Sequence, residues 1–237
     1  MRVIVTRASV DAERTATALR ARGHEALLSP VLEIAPTDAA IHPETAQALV
    51  ATSAHAFDAL SSGEAAKLLH LPLFVVGART SKAAQRIGLT PPSVIAARAS
   101  ELASQMVALL PTSARVLYLA GRDRKPDLEK ALAHEGFTID AEVVYEACAI
   151  EALSPEVAAA LKQGEADAVL HFSRRSARLF MDCVRRAGLS AEVAALRHIC
   201  ISQDVAAEIG AASEVAKIPE VAKTPDGAGL LKALEQM

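Results

Sequence analysis

Residues 168–187 read AVLHFSRRSARLFMDCVRRA, and how this stretch divides decides the fold. Ala168–Phe172 is a short apolar run that reads as a buried strand, Ser173 closes it, and Ala177–Ala187 reads as a helix. The same succession recurs at Val3–Thr6, Leu49–Ser53, Phe74–Gly77, Val116–Gly121 and His198–Ser202. Strand-to-helix turns are where α/β folds bind ligands. The first N–H groups of a helix lack intrahelical partners, and the helix dipole makes them attractive to anions. With Ser, Thr, Gly and Arg at these turns, the chain reads as a holder of something polar and anionic.

Composition supports an α/β architecture. Of the 237 residues, 51% are hydrophobic but only 3% aromatic, and there is no Trp. The core must come from Ala, Val, Leu and Ile, which suits Ala-rich helices lying on Val/Leu/Ile strands. The length is comfortable for two small domains. Scarce aromatics argue against a base-stacking platform, and a formal net charge of −3 provides no global field for a nucleic acid. The local clusters Arg122–Arg124–Lys125 and Arg174–Arg175 point to a small anion instead. Three cysteines, Cys148, Cys183 and Cys200, lie far apart with no CxxC spacing. Neither a disulfide framework nor a zinc site is expected, and a reducing, cytoplasmic setting is the simpler reading. Met1–Thr6 is expected to enter a strand directly rather than a signal-peptide core, and no membrane span is expected.

Along the chain, Arg2–Thr6 reads as a strand, and Ser9 as the cap of a helix running to Arg22. Glu25–Ile34 is a strand broken by Pro30, and Pro36–Pro43 is a breaker zone. Helical sequence around Glu44–Gln47 precedes the strand Leu49–Thr52, helix Ala54–Leu60 and a turn at Ser61–Ser62–Gly63. Strand Phe74–Val76 and helix Thr80–Ile87 follow, then strand Val94–Ala96, helix Glu101–Leu110, strand Arg115–Ala120 and helix Asp127–His134. Thr138–Ile150 is a long extended stretch. Beyond Leu153–Ser154–Pro155 come helix Glu156–Lys162 and three strand–helix units, beginning at Ala168, His198 and Ser213. The last helix is Gly227–Glu235.

The extended stretches Leu32–Pro36 and Glu142–Glu151 read as paired linkers, so one domain is expected to be inserted in the other. Residues 1–34 with 152–237 would form the first, residues 44–140 the second, and 35–43 and 141–151 the linkers. The halves also echo each other. Thr52–Phe57 resembles Phe172–Ala177 in pattern, and Phe74–Thr80 resembles His198–Asp204. Two facing domains offering turns to one cleft would produce that echo, and so would generic α/β regularity.

Several familiar chemistries are missing from the sequence. Thr6–Arg7–Ala8–Ser9 follows the first strand in place of GxGxxG, and neither a GxxxxGK[ST] loop, GxSxG nor HExxH occurs. The histidines show no i, i+4 pair, so no metal site is suggested. What remains is hydroxyls, amides and guanidiniums at strand ends. Ser53 and Ser173 are natural helix caps, and a cap also presents open N–H groups to a ligand. Ser202 occupies the matching place after His198–Ile201. Gly77 permits close backbone approach, or simply makes a turn. Thr80 reads more readily as a cap than as a ligand contact. Arg7 directly follows a buried strand, an expensive place for a solubility charge. Arg122, Arg124 and Lys125 divide between solvated surface and anion contacts. Tyr145 either covers an interdomain seam or uses its phenol to protonate a leaving group.

These residues, taken in order, resemble the uroporphyrinogen-III synthase family. The likeness runs through Val3–Arg7, Thr52–Ala56, Val76–Thr80, Val144–Tyr145, Phe172–Ser173, Ala222–Pro225 and Leu230–Leu231. It implies two doubly wound parallel-sheet α/β domains of flavodoxin-like type, joined by a two-stranded linker, with the active site in the cleft between them. It implies cyclisation of the linear tetrapyrrole hydroxymethylbilane with inversion of ring D and loss of water, without a cofactor. The family's tyrosine falls on Tyr145 and is thought to assist departure of the hydroxyl. Its strand-end Ser/Thr positions fall on Ser53, Thr80 and Ser173. Ser202–Gln203–Asp204–Val205 departs from the pattern: where many members carry Gly and then Thr residues, this chain places a carboxylate near a polyanionic substrate.

Strand-end N–H groups and arginines suit a rim of acetates and propionates. Once hydroxide leaves, the pyrrolic cation drives its own ring attack, so the main task is folding a flexible chain. A transient contact with the upstream hydroxymethylbilane synthase fits an unstable substrate, and a monomer is expected. Two rival readings are a non-catalytic two-domain binder of an anionic small molecule and a flavodoxin- or receiver-like signalling pair. The absence of Asp after Val3–Val5 speaks against a receiver.

Overall fold

A computed structural model describes residues 1–89, 91–212 and 217–236. The chain divides into two compact units, Met1–Glu33 with Cys148–Met237 and Ile34–Ala147. The first unit begins with β1 (Arg2–Val5), α1 (Ser9–Arg20) and β2 (Glu25–Leu28). The chain then runs through β3 (Leu32–Pro36), β4 (Ala48–Ala51), α2 (His55–Asp58), α3 (Ser62–Leu68), β5 (Leu73–Val76) and α4 (Ala78–Arg86). It continues with β6 (Val94–Ala96), α5 (Ala99–Leu109), β7 (Arg115–Gly121), α6 (Asp127–His134) and β8 (Thr138–Ala149). The remainder is α7 (Pro155–Lys162), β9 (Ala168–His171), α8 (Arg174–Ala187), α9 (Ser190–Ala194), β10 (Arg197–Cys200), α10 (Gln203–Gly210), β11 (Glu220–Val221) and α11 (Gly227–Glu235).

The first unit is a five-stranded sheet ordered β11-β10-β9-β1-β2, and its neighbouring strands pair in parallel. Ile4, Val169 and Cys200 face one core layer with Phe180 and Val184 of α8, while Val3, Val5 and Leu170 face the other with Leu19 and Leu230. Apolar residues on both faces of a strand are what parallel sheets covered by helices require. The second unit is a six-stranded sheet ordered β3-β8-β7-β4-β5-β6, parallel from β8 to β6. Leu49, Val75, Leu117 and Leu119 lie under α2–α4, and Val50, Phe74, Val116 and Tyr118 under α5 and α6.

The two sheets share one connectivity, permuted. The run β9-β10-β11 corresponds to β4-β5-β6, and the adjoining pair β1-β2 corresponds to β7-β8. The echo between Thr52–Phe57 and Phe172–Ala177 therefore has a topological counterpart: both segments follow the strand beside the point where the winding reverses.

Five local expectations are corrected. Ser9 is not the cap of α1; Ala8 is, its carbonyl accepting from the N–H groups of Asp11 and Ala12 at 2.9 Å each. Glu44–Gln47 is a turn, because the Gln47 N–H is drawn to the Arg115 carbonyl at 2.8 Å as the chain enters β4. Ser61–Ser62–Gly63 opens α3 instead of forming a turn. Ser61 Oγ accepts from Glu64 N–H at 3.3 Å, and the Glu64 carboxylate accepts from Ser61 N–H at 2.8 Å, a reciprocal cap that overrides the turn propensity. Thr80 is not a cap: Gly77 is, with φ 82°, and Thr80 is buried in the first turn of α4. Of the strand expected at Ser213–Ile218, positions 213–216 lie outside the described residues, Lys217 and Ile218 are not in a strand, and β11 forms at Glu220–Val221 instead.

Among the described residues no helix is long and apolar enough to cross a membrane, and no group of three His, Cys, Asp or Glu side chains is placed to hold a metal ion. The cysteines are free thiols, Cys183 and Cys200 buried and Cys148 exposed.

Candidate active-site edges

In a parallel α/β sheet, ligands bind beyond the carboxyl ends of the strands, at the point where the winding reverses. In the first unit the reversal lies between β1 and β9, and in the second between β4 and β7. Of the six strand ends singled out in the sequence, those of β1, β9, β4 and β7 border these two points, and those of β10 and β5 lie one strand further out.

In the first unit, β1 delivers Thr6 and Arg7, β9 delivers Phe172 and Ser173, and β10 delivers Ser202. Thr6 is buried, and its hydroxyl donates across the switch point to the Leu170 carbonyl at 3.2 Å. The Arg7 guanidinium lies 4.3 Å from the Phe172 ring centroid and 3.1 Å from the Asp11 carboxylate. Stacking and pairing fix the planar group at the strand ends. Ser173 caps α8: its Oγ accepts from Ser176 N–H at 3.1 Å and lies 2.8 Å from Ser176 Oγ. Ser202 is the cap residue of α10, yet its side chain makes no cap bond. Arg174 pairs with Glu208 at 3.2 Å.

In the second unit, β4 delivers Thr52 and Ser53, β5 delivers Gly77, and β7 ends at Gly121. Ser53 is not the cap of α2, which is Ala54; its Oγ accepts from His55 N–H at 3.3 Å one residue ahead of the cap. Thr52 Oγ1 and Tyr118 Oη lie 2.9 Å apart, a bond that spans the switch point between β4 and β7. Burial pushes the Tyr118 phenol above its ordinary value, and Glu129 and Tyr145 act in the same direction. Arg124 is engaged with Glu129 at 2.9 Å and with the Gly121 carbonyl at 3.2 Å. Gly121 stands opposite Tyr145 in the β7–β8 ladder, and the Tyr145 ring is 5.8 Å from that of His55, tilted by 59°. Arg122 donates its backbone N–H to the Tyr145 carbonyl at 3.0 Å, while its guanidinium pairs with Glu146 at 2.5 Å.

Ser53, Gly77, Thr80, Arg122 and Tyr145 are thus carried by one unit, and Arg7, Ser173 and Ser202 by the other. Under the permuted correspondence they pair off: Thr6–Arg7 with Gly121–Arg122, Ser173 with Ser53, and Ser202 with Gly77. A cavity of about 570 Å³ is lined by Thr37, Asp38, Glu142, Glu146 and Arg122 among others. Its three carboxylates make it a poor receptor for an anion.

Sequence reasoning missed Phe172 under Arg7, the Thr52–Tyr118 bond and the contact of Gly121 with Tyr145. Each depends on which residues of neighbouring strands come into register. The available signal was weak: a glycine ending an otherwise apolar strand, and an aromatic residue directly before a strand-end serine.

The fold defines a pair of parallel, doubly wound α/β units with polar carboxyl edges. A family profile for Uroporphyrinogen-III synthase HemD matches residues 13–232. The chain belongs to the uroporphyrinogen-III synthase family and is an enzyme, a lyase-type cyclase. The solved uroporphyrinogen-III synthetase from Helicobacter pylori 26695 is 20% identical, with 99% of each chain covered and a TM-score of 0.64, a likeness of fold. Wild-type uroporphyrinogen III synthase from the extreme thermophile Thermus thermophilus is 19% identical over 99% of this chain and 98% of that chain, with a TM-score of 0.40. Comparison with curated proteins gives no significant match.

Proposed function

We propose that this chain closes hydroxymethylbilane into uroporphyrinogen III, inverting ring D and releasing water, and that Tyr145 protonates the departing hydroxyl. The family match over residues 13–232 carries this reading. Protonation turns hydroxide into water and leaves a pyrrolic cation. The cation is attacked by the substituted carbon of ring D, and rearrangement and proton loss restore the pyrrole. Bonds are made and broken with no net oxidation, so a proton donor and a shaped surface suffice.

The substrate's acetates and propionates would be held by Arg7, Arg122, Ser53, Gly77, Ser173 and Ser202, with the buried Thr80 behind them in the first turn of α4. Backbone N–H groups at the start of α4, α8 and α10 would contribute beside them. Arg122 would exchange Glu146 for a substrate carboxylate, whereas Arg7, fixed on Phe172, is already oriented. Asp204 at the start of α10 adds a negative charge there, so this turn is assigned the weakest hold on the substrate. The enzyme works as a cytoplasmic monomer, taking its unstable substrate in transient contact with the upstream hydroxymethylbilane synthase.

The test is to supply hydroxymethylbilane and separate the products by isomer. Type III product supports the reading. Only the spontaneous, non-inverted type I product would defeat it.

A further inference from the structure

Residues on β7 alternate between two core layers: Leu117 and Leu119 pack with Val144, while Val116, Tyr118 and Ala120 pack with Ile139 and Ala141. Simple alternation along β8 would therefore send Val144 to the first layer and Tyr145 to the second. Tyr145 packs against the first layer as well. The register explains it: Ala120 stands opposite Val143, but Gly121 stands opposite Tyr145, leaving Val144 as an extra residue. An irregularity of this kind re-aims the side chain that follows it.

The re-aimed ring lies directly on Gly121. A Cβ at position 121 would stand 2.5 Å from Tyr145 Cζ, 2.7 Å from its hydroxyl oxygen and 2.8 Å from Cε2. Gly121 is not among the glycines with positive φ, so its backbone does not require glycine. Only the phenol does. The pair is tied on both sides, by Arg122 N–H to the Tyr145 carbonyl at 3.0 Å and by Arg124 to the Gly121 carbonyl at 3.2 Å.

We infer that Gly121 is a positioning residue for the Tyr145 phenol: the extra residue in β8 turns the ring onto the end of β7, and the missing side chain at 121 sets where the hydroxyl stands. This rests on the proposed role of Tyr145. It adds a second determinant of turnover that touches Tyr145 and carries no functional group of its own.

The experiment combines kinetics with tyrosine NMR. In Gly121→Ala, kcat falls about 10-fold or more while KM stays within about 3-fold, the split expected when only a transition-state interaction is lost. Gly121→Ala/Tyr145→Phe turns over no more slowly than Tyr145→Phe alone. The chain has two tyrosines, so ¹³Cζ-labelled tyrosine gives two resonances, assigned with Tyr118→Phe. Gly121→Ala shifts that of Tyr145. An unmoved Tyr145 resonance, or an equal loss of turnover in the Tyr145→Phe background, overturns the inference. Should Gly121→Ala fail to fold, Gly121→Ala/Tyr145→Ala removes the clash and recovers the melting temperature; no recovery overturns it. Were the wild-type chain to give only type I product, the functional reading would fall, and the resonance and melting arms would still decide whether Gly121 aims the ring.

Discussion

His171 Nε2 lies 3.0 Å from His198 Nδ1 in the interior of the first unit, the ring centroids 5.3 Å apart and the planes within 5° of parallel. His198 Nε2 faces the Val193 carbonyl at 3.3 Å and therefore carries a proton. Its Nδ1 then accepts from His171 Nε2–H, and His171 Nδ1 is left buried without a hydrogen-bond partner. Both hydrogen bonds form with the two rings neutral, and burial disfavours a charge on either.

That pair makes stability depend on pH. Burial is the main cause lowering both imidazoles below 6.5; His198 adds to the effect on His171, and Lys217 adds to the effect on His198. Nearby Cys200, pushed up to about 12 by burial, stays neutral. Below pH 6.5 the unfolded chain binds protons that the folded chain refuses, so stability falls as pH falls. The slope is about 1.4 kcal/mol per pH unit for each proton. Melting temperature should drop between pH 7.5 and 5.5 by calorimetry, and His171→Leu/His198→Leu should flatten the dependence. A wild-type profile that stays level from 7.5 to 5.5 would remove the pair from the acid response.

Tyr145→Phe keeps the ring on Gly121 and removes the proton donor. A positioned general acid contributes roughly 10²- to 10⁴-fold, so turnover to type III product should fall by about 10²-fold or more with the fold intact. Isomer analysis together with circular dichroism checks this, and unchanged turnover would take Tyr145 out of the reaction.

Arg7→Lys keeps the charge but loses the planar group stacked 4.3 Å from the Phe172 centroid. KM should rise by about 3- to 10-fold with kcat less affected. Phe172→Leu should act in the same direction, because the guanidinium then loses its platform. Steady-state kinetics on both variants decides; a KM that both leave unmoved argues that Arg7 does not meet the substrate.

Ser173 and Ser202 separate capping from binding. Ser173→Ala removes the acceptor for Ser176 N–H and should cost about 1 kcal/mol of stability. Ser202 makes no side-chain cap bond, so Ser202→Ala should leave stability within about 0.5 kcal/mol. Denaturant titration measures both, and a large loss from Ser202→Ala would show a structural role for that hydroxyl.

The order of residues was enough to specify most strands and helices and the turns that carry the polar groups, though β11 at Glu220–Val221 lies beyond the strand expected at Ser213–Ile218. Val3–Val5, Ala168–Leu170 and Leu117–Leu119 are apolar on both faces, as strands covered by helices on both sides must be, and the flanking turn residues mark them as strands. Helix ends were legible where capping is local, as at Ser154–Pro155, and illegible where a capping box overrode turn-like residues, as at Ser61–Gly63. Whatever depends on register was settled only in the assembled sheets. The single extra residue at Val144 reverses which face Tyr145 takes, and no periodicity reveals it, because side-chain facing is a property of two paired strands. The same holds for Arg7 on Phe172, Thr52 on Tyr118 and His171 on His198. Each joins residues on neighbouring strands or their ends, brought together only once the strand order of its sheet is fixed.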